Sequence, residues 1–148
     1  RQAGTGRFWL IGPDGGKQAE LRQLAAELGL GDAAIFTGPA DPAAIRDLAS
    51  EASWFLLTSH TEGMAAAVVE AMQLGLVPVV TPVGEIARYA RHGDNAVVIE
   101  SEDQAVADIT ALLADPARYA AMARRAAAQW QDQPTYREAV LAACRALI

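Results

Sequence analysis

The chain has 148 residues, 18 acidic and 12 basic side chains for a formal net charge of −6, and 52% hydrophobic residues. That length and composition suit one α/β domain with a single core, and they exclude a disordered tail or a collagen-like repeat. The acidic balance excludes a sequence-independent nucleic-acid binder, which needs a basic face to displace counterions from phosphates; a local anion site can still be built from backbone N–H groups.

An intrachain disulfide is impossible with one cysteine, and Cys144 reads as a buried small hydrophobe. No stretch approaches the roughly 18 consecutive apolar residues of a membrane span. The start, Arg1-Gln2-Ala3-Gly4, has no apolar signal region. The expected compartment is therefore the cytoplasm, with a membrane-peripheral position open to a longer parent protein. The first residues lack Met and resemble the tail of an upstream segment, so a fragment is expected.

Phe8-Trp9-Leu10-Ile11 predicts a strand that ends at Gly12, and Leu21, Leu24, Ala25 and Leu28 then recur at helical spacing until Gly29. The intervening Gly12-Pro13-Asp14-Gly15-Gly16-Lys17 lacks the spacing of a nucleoside-triphosphate loop. Ala34–Gly38 predicts a second strand, and Asp41-Pro42 opens a helix as N-cap and first-turn proline. Trp54–Ser59 is a continuous apolar run, the pattern of a strand buried on both faces.

A helix from Ala65 to Leu74 follows, stopped by Gly75. Val77–Thr81 predicts the next strand, Ile86–Arg91 a short helix and Ala96–Ile99 a last strand. The remainder reads as helices over Asp103–Leu113, Pro116–Trp130 and Pro134–Leu147, with Trp130 and Tyr136 packing back over the sheet. Strands alternating with helices predict a Rossmann-like parallel sheet with helices on both faces, over residues 1–148 as one domain whose C-terminal helices fill 116–148. Ligands in such sheets bind beyond the carboxyl ends of the strands, which directs attention to the loops after Gly12, Gly38, Ser59 and Thr81.

Between Glu62 and Glu85 the only charged residue is Glu70, on a helix apolar on nearly every side. A carboxylate in such an interior helix needs hydrogen-bond donors. A neighbouring loop could supply them, and so could the diol of a ribose, whose two hydroxyls match two carboxylate oxygens. On one continuous helix Glu62 and Glu70 would point about 80° apart and lie about 12 Å from each other along the axis. With Glu62 in the loop instead, the two flank an elongated ligand that crosses the helix N-terminus. Free N–H groups from Gly63 to Ala66 would seat a diphosphate there, and Gly63 permits close approach.

The E-x(7)-E pattern of Glu62 and Glu70, followed by Ala71-Met72 and Gly75-Leu76-Val77-Pro78-Val79-Val80, resembles the C-terminal, donor-binding half of the retaining family 4 glycosyltransferases with the two-domain GT-B fold. The resemblance extends through Leu10-Ile11-Gly12, Leu28-Gly29-Leu30, Phe36-Thr37-Gly38, Ser59, Val83-Gly84 and Gly93-Asp94-Asn95. It implies a domain that lacks the first strand and helix of that half. It also implies that the donor is a nucleotide-diphosphate sugar such as a UDP- or GDP-hexose, transferred with retention to an acceptor hydroxyl.

By the same resemblance Glu62 touches donor-sugar hydroxyls as the catalytic carboxylate, and Glu70 holds the ribose. The Gly63-Met64-Ala65 amides meet the sugar or diphosphate, and Gly12, Gly38 and Ser59 border the donor. No cofactor or metal is implied. An N-terminal acceptor domain of the parent chain would complete catalysis, so the isolated piece is expected to be inactive, with self-association possible through an incomplete sheet.

Two substitutions depart from the family pattern. Met64-Ala65-Ala66-Ala67 replaces an aromatic and proline, and Glu85 replaces a second glycine, placing a negative charge near an anionic ligand unless it turns outward. Both fit an alternative, a degenerate non-catalytic GT-B module used for docking. A signalling-type doubly wound domain ranks last, because neither early strand ends in Asp. His60 reads as solvent-facing, and Arg118, Arg124 and Arg125 as a solvated face.

Overall fold

The computed structural model describes residues 6–134 and 136–146. The start at Arg1-Gln2-Ala3-Gly4 and the predicted helix end at Leu147 lie outside the described residues, as does the Tyr136 side chain. The chain divides into a unit ending at Glu51 and a unit beginning at Ala52.

In the first unit β1 (Phe8–Ile11) pairs in parallel with β2 (Ala34–Gly38), Phe8 opposite Ala34, with a register shift at Leu10/Ile11. Helix α1 (Gln18–Glu27) makes the crossover. The Asp14 carboxylate accepts from the N–H groups of Gly16, Lys17 and Gln18 at 2.7, 3.1 and 3.1 Å, which occupies the donors at the start of α1. Those bonds, with Gln18 and Gly16 first, hold the Asp14 pKa below its ordinary value against a weaker opposing effect of burial. Helix α2 (Pro42–Glu51) starts as the sequence predicts: Asp41 accepts from the Ala44 N–H at 2.8 Å.

The second unit carries a three-stranded parallel sheet in the order β3 (Trp54–Leu57), β4 (Val77–Val80), β5 (Val97–Val98). Helices α3 (Ala66–Gln73), α4 (Ile86–Tyr89), α5 (Glu102–Ala114), α6 (Pro116–Ala128) and α7 (Tyr136–Ala146) complete it. Strand β4 is buried throughout, and its alternation divides the core. Val77 and Val79 pack with Leu112 of α5 and Met122 of α6, while Val80 packs with Val68 and Met72 of α3 and Ile86 of α4. Helices thus cover both faces of this sheet, as expected. Trp130 closes the α3 side, its ring edge-on to Tyr89 at 5.4 Å and its Nε1–H directed at the Met72 sulfur.

The described strands form two hydrogen-bonded parallel sheets, β1-β2 and β3-β4-β5, within the parallel α/β class that the sequence predicts. Several expectations are corrected. Strand β3 pairs only with β4 among the described residues, so it is an edge strand, and Leu56 is 56% exposed where burial on both faces was expected. Helix α3 is amphipathic: Val68, Val69, Ala71 and Met72 are buried, whereas Ala66, Ala67 and Glu70 are exposed. Small alanines on the outer face made the helix look apolar all round. Cys144 is exposed on α7 and is no core residue. Arg125 is not merely solvated, since it pairs with Asp94 at 2.7 Å and donates to the Asp94 carbonyl at 2.9 Å.

Candidate functional site

The carboxyl end of β3 runs directly into the segment that holds most of the predicted site. Thr58 to Ala65 form an irregular connection from β3 to α3, and three tethers shape it. Ser59 Oγ donates to Glu62 Oε1 at 2.7 Å, which orients this half-buried carboxylate. Thr81 Oγ1, just past β4, donates to the Ser59 carbonyl at 2.6 Å. The third tether comes from the segment that opens α4.

There the Glu85 N–H donates to the Gly63 carbonyl at 3.0 Å. The Tyr89 hydroxyl donates to the Met64 carbonyl at 2.9 Å and lies 3.5 Å from the Ala65 carbonyl. The peptide bonds are trans, so each carbonyl opposes the N–H of the next residue. Drawing the Gly63 and Met64 carbonyls towards α4 therefore turns the N–H groups of Met64 and Ala65 away from it, while the Ala65 carbonyl accepts the Val68 N–H at 2.9 Å and so directs the Ala66 N–H out of the start of α3. None of these three N–H groups, Met64, Ala65 and Ala66, has an acceptor among the described residues. They form a row of free donors at the N-terminus of α3, where the helix dipole adds partial positive charge.

The backbone accepts strain to make this turn. Ala65, the residue that caps α3, is left-handed at φ 52° and ψ 60°, a region that costs an L-residue roughly 1–2 kcal/mol. Gly84 supports the same turn from behind, at φ +56°. A Cβ on Gly84 would meet the Glu62 carbonyl oxygen at 2.2 Å and that of Gly63 at 2.6 Å, so only glycine allows the two loops to touch.

The predicted residues fall into two sets. Ser59, Glu62, Gly63, Met64 and Ala65 stand together in the second unit, with Met64 60% exposed and free to meet a ligand. Glu70 lies further along α3 with its carboxylate exposed, so the desolvation argument for a ribose no longer applies; accessibility takes its place. Gly12 and Gly38 belong to the first unit and bond to each other, the Gly12 N–H donating to the Gly38 carbonyl at 2.9 Å. Both have positive φ, 142° and 72°, as turns at strand ends require. His60 is exposed, as expected.

Glu85 is exposed. Its carboxylate pairs with Arg88 at 3.0 Å, so the negative charge that Glu85 brings is partly balanced. Tyr89 is raised above its ordinary pKa of 10.0, first by burial and then by the Glu62 and Glu85 carboxylates, so it stays a protonated donor at neutral pH. Its role, and that of Gly84, is not apparent from sequence spacing. Tyr89 is one aromatic in a short helix, with no motif to mark it.

Among the described residues no group of three or more His, Cys, Asp or Glu stands together to hold a metal, and no helix is long and apolar enough to cross a membrane. The site therefore offers amide donors, a tethered carboxylate and an accessible second carboxylate along one helix, a set suited to a polyhydroxylated anion.

The chain has known relatives in both sequence and fold. The D-inositol 3-phosphate glycosyltransferase of Acidothermus cellulolyticus is 31% identical over 121 residues, 79% of this chain and 27% of that protein. The GDP-mannose:cellobiosyl-diphosphopolyprenol alpha-mannosyltransferase of Komagataeibacter xylinus is 38% identical over 87 residues, 58% of this chain and 22% of that protein. The chain thus spans about a quarter of the length of the curated relatives it matches. HepE of Anabaena, solved in complex with UDP and glucose, aligns with a TM-score of 0.81 at 25% identity over 96% of this chain and 41% of that one. The family model described as "Glycosyl transferases group 1" matches residues 5–129, well over half of the chain. The fold is that of the C-terminal domain of a GT-B glycosyltransferase, and the chain belongs to the glycosyl transferases group 1 family.

Proposed function

We propose that this domain binds a nucleotide-diphosphate sugar and presents it for retaining transfer of a hexosyl group to an acceptor hydroxyl. The observation that carries the reading is the row of free N–H groups at Met64, Ala65 and Ala66 beside the tethered Glu62 carboxylate. In this reading Glu62 is the catalytic residue and accepts from hydroxyls of the donor sugar. The amides take the diphosphate, and Glu70 accepts from the ribose diol. The bond from the anomeric carbon to the diphosphate oxygen breaks, and the acceptor oxygen bonds to that carbon. The acceptor proton passes to the departing diphosphate, whose growing charge the amides stabilise.

No cofactor enters this scheme, because the nucleotide sugar is itself the donor substrate. Ser59 borders the donor, and an N-terminal domain of the parent protein brings the acceptor. A UDP-hexose is favoured by the UDP and glucose bound to HepE, and a GDP-hexose by the mannosyltransferase relative. The competing reading, a non-catalytic docking module, draws on Glu85 as a charge that repels an anion; its pair with Arg88 supports the donor reading instead.

Calorimetric titration of the full chain with UDP, GDP and their hexose conjugates tests the proposal. One pair is expected to bind, and Glu70→Ala is expected to weaken it by tenfold or more, since a hydrogen bond to a charged group contributes about 1.5–3 kcal/mol. Unchanged affinity in that variant contradicts the ribose assignment, and failure of every nucleotide to bind supports the docking module.

A further inference from the structure

Tyr89 has no place in the donor chemistry just described, yet among the described residues it is the only side chain bonded to the carbonyls of Gly63, Met64 and Ala65. Its hydroxyl meets the Met64 carbonyl at 2.9 Å and stands 3.5 Å from that of Ala65. Its ring is held from the other side, edge-on to Trp130 at 5.4 Å, and Trp130 in turn donates to the sulfur of Met72 on α3. The end of α6, the short helix α4 and the start of α3 are thereby linked through one phenol.

We infer that Tyr89 is a positioning residue for the donor, which it never touches: by drawing the Met64 carbonyl towards α4, its hydroxyl aims the Ala65 N–H group at the diphosphate. This inference rests on the donor reading above. A trans peptide couples each carbonyl to the N–H of the following residue in the opposite direction, so fixing one fixes the other. Ala65 sits at φ 52°, a conformation that alanine leaves unless its surroundings hold it. The neighbouring carbonyls are held separately, that of Gly63 by the Glu85 N–H and that of Ala65 by the Val68 N–H at 2.9 Å, so loss of the phenol O–H frees the Ala65 amide while leaving those of Met64 and Ala66 tied.

The role is therefore specific to part of the ligand. An Ala65 amide that drifts weakens the hold on the diphosphate, whereas the nucleoside, which meets none of these amides in the donor reading, is unaffected. A purely structural tyrosine would lower stability without separating the two.

The test compares the full chain with Tyr89→Phe, which keeps the ring against Trp130 and removes only the O–H. Affinities for UDP or GDP, whichever binds, and for the matching nucleoside are measured in parallel. In the ligand-free proteins, the three-bond HN–Hα coupling of Ala65 reports its φ. The expected result is a loss of about tenfold for the diphosphate, less than twofold for the nucleoside, and a changed Ala65 coupling. Should Tyr89→Phe fail to fold, replacing Tyr89 by 4-aminophenylalanine, whose amine still donates, takes its place and is expected to bind the diphosphate like the unmodified chain. Binding by the unmodified chain that Tyr89→Phe leaves intact, or a loss equal for nucleoside and diphosphate, overturns the role of Tyr89 alone. Absence of any nucleotide binding by the unmodified chain overturns the donor reading, and this inference with it.

Discussion

Gly84 and Glu62 are in backbone contact: a Cβ atom on Gly84 would stand 2.2 Å from the Glu62 carbonyl oxygen. Two loops at the carboxyl ends of β3 and β4 are thus pressed together with no room for a side chain, and the Glu85 N–H seals the contact through Gly63. The carboxylate of Glu62 takes its position from this contact as well as from Ser59.

Replacing Gly84 by Ala is accordingly expected to destabilise the fold by about 2–4 kcal/mol, combining overpacking against backbone with a positive φ at +56°. Urea unfolding followed by tryptophan fluorescence measures the change. A loss below about 0.5 kcal/mol, the range of ordinary surface substitutions, contradicts the close contact.

At Ala65 the expected sign is reversed. Glycine relieves the left-handed strain at φ 52° but adds unfolded-chain entropy, so Ala65→Gly is expected to stabilise by roughly 0.5–1 kcal/mol. The same unfolding experiment reports it. A clear destabilisation would mean that Ala65 does not hold the left-handed conformation.

Tyr89 sets an alkaline limit. Its folded pKa is raised above 10.0 by burial and by Glu62 and Glu85, so the folded chain keeps a proton that the unfolded chain loses. The stability that this provides is complete below pH 10.0 and is lost as pH rises through the folded pKa. Tyr119 is raised too, by burial, with the bond to the Ser53 carbonyl acting against the rise; a difference between the parent chain and Tyr89→Phe cancels its part. The stability gap between those two proteins is expected to be constant at neutral pH and to narrow above pH 10.0. A gap that widens there contradicts the assignment.

Much of this architecture is legible in the sequence because it depends on short-range signals. Gly12, Gly38 and Gly75 mark ends of elements, Asp41-Pro42 opens a helix, and the run Val77–Val80 is, among the described residues, the one strand buried along its whole length. Errors arise where composition disguises exposure. Alanines at 66 and 67 made the outer face of α3 look apolar and gave Glu70 a buried setting that it lacks, and the apolar run at β3 concealed an edge strand with Leu56 exposed. The site carboxylates and amides follow from spacing and resemblance, whereas Tyr89 and the backing of Gly84 are tertiary contacts across some 20 residues of chain. No periodicity records such contacts.

The central claim is that Glu62, tethered by Ser59, reads the sugar while the α3 amides read the diphosphate. Calorimetry on Glu62→Gln with the bound nucleotide diphosphate and with its hexose conjugate separates the two. The account predicts that the variant binds the diphosphate within about twofold of the parent chain and the sugar conjugate about tenfold more weakly, the size expected for one hydrogen bond to a charged group. Equal losses for both ligands, or none for either, would contradict it.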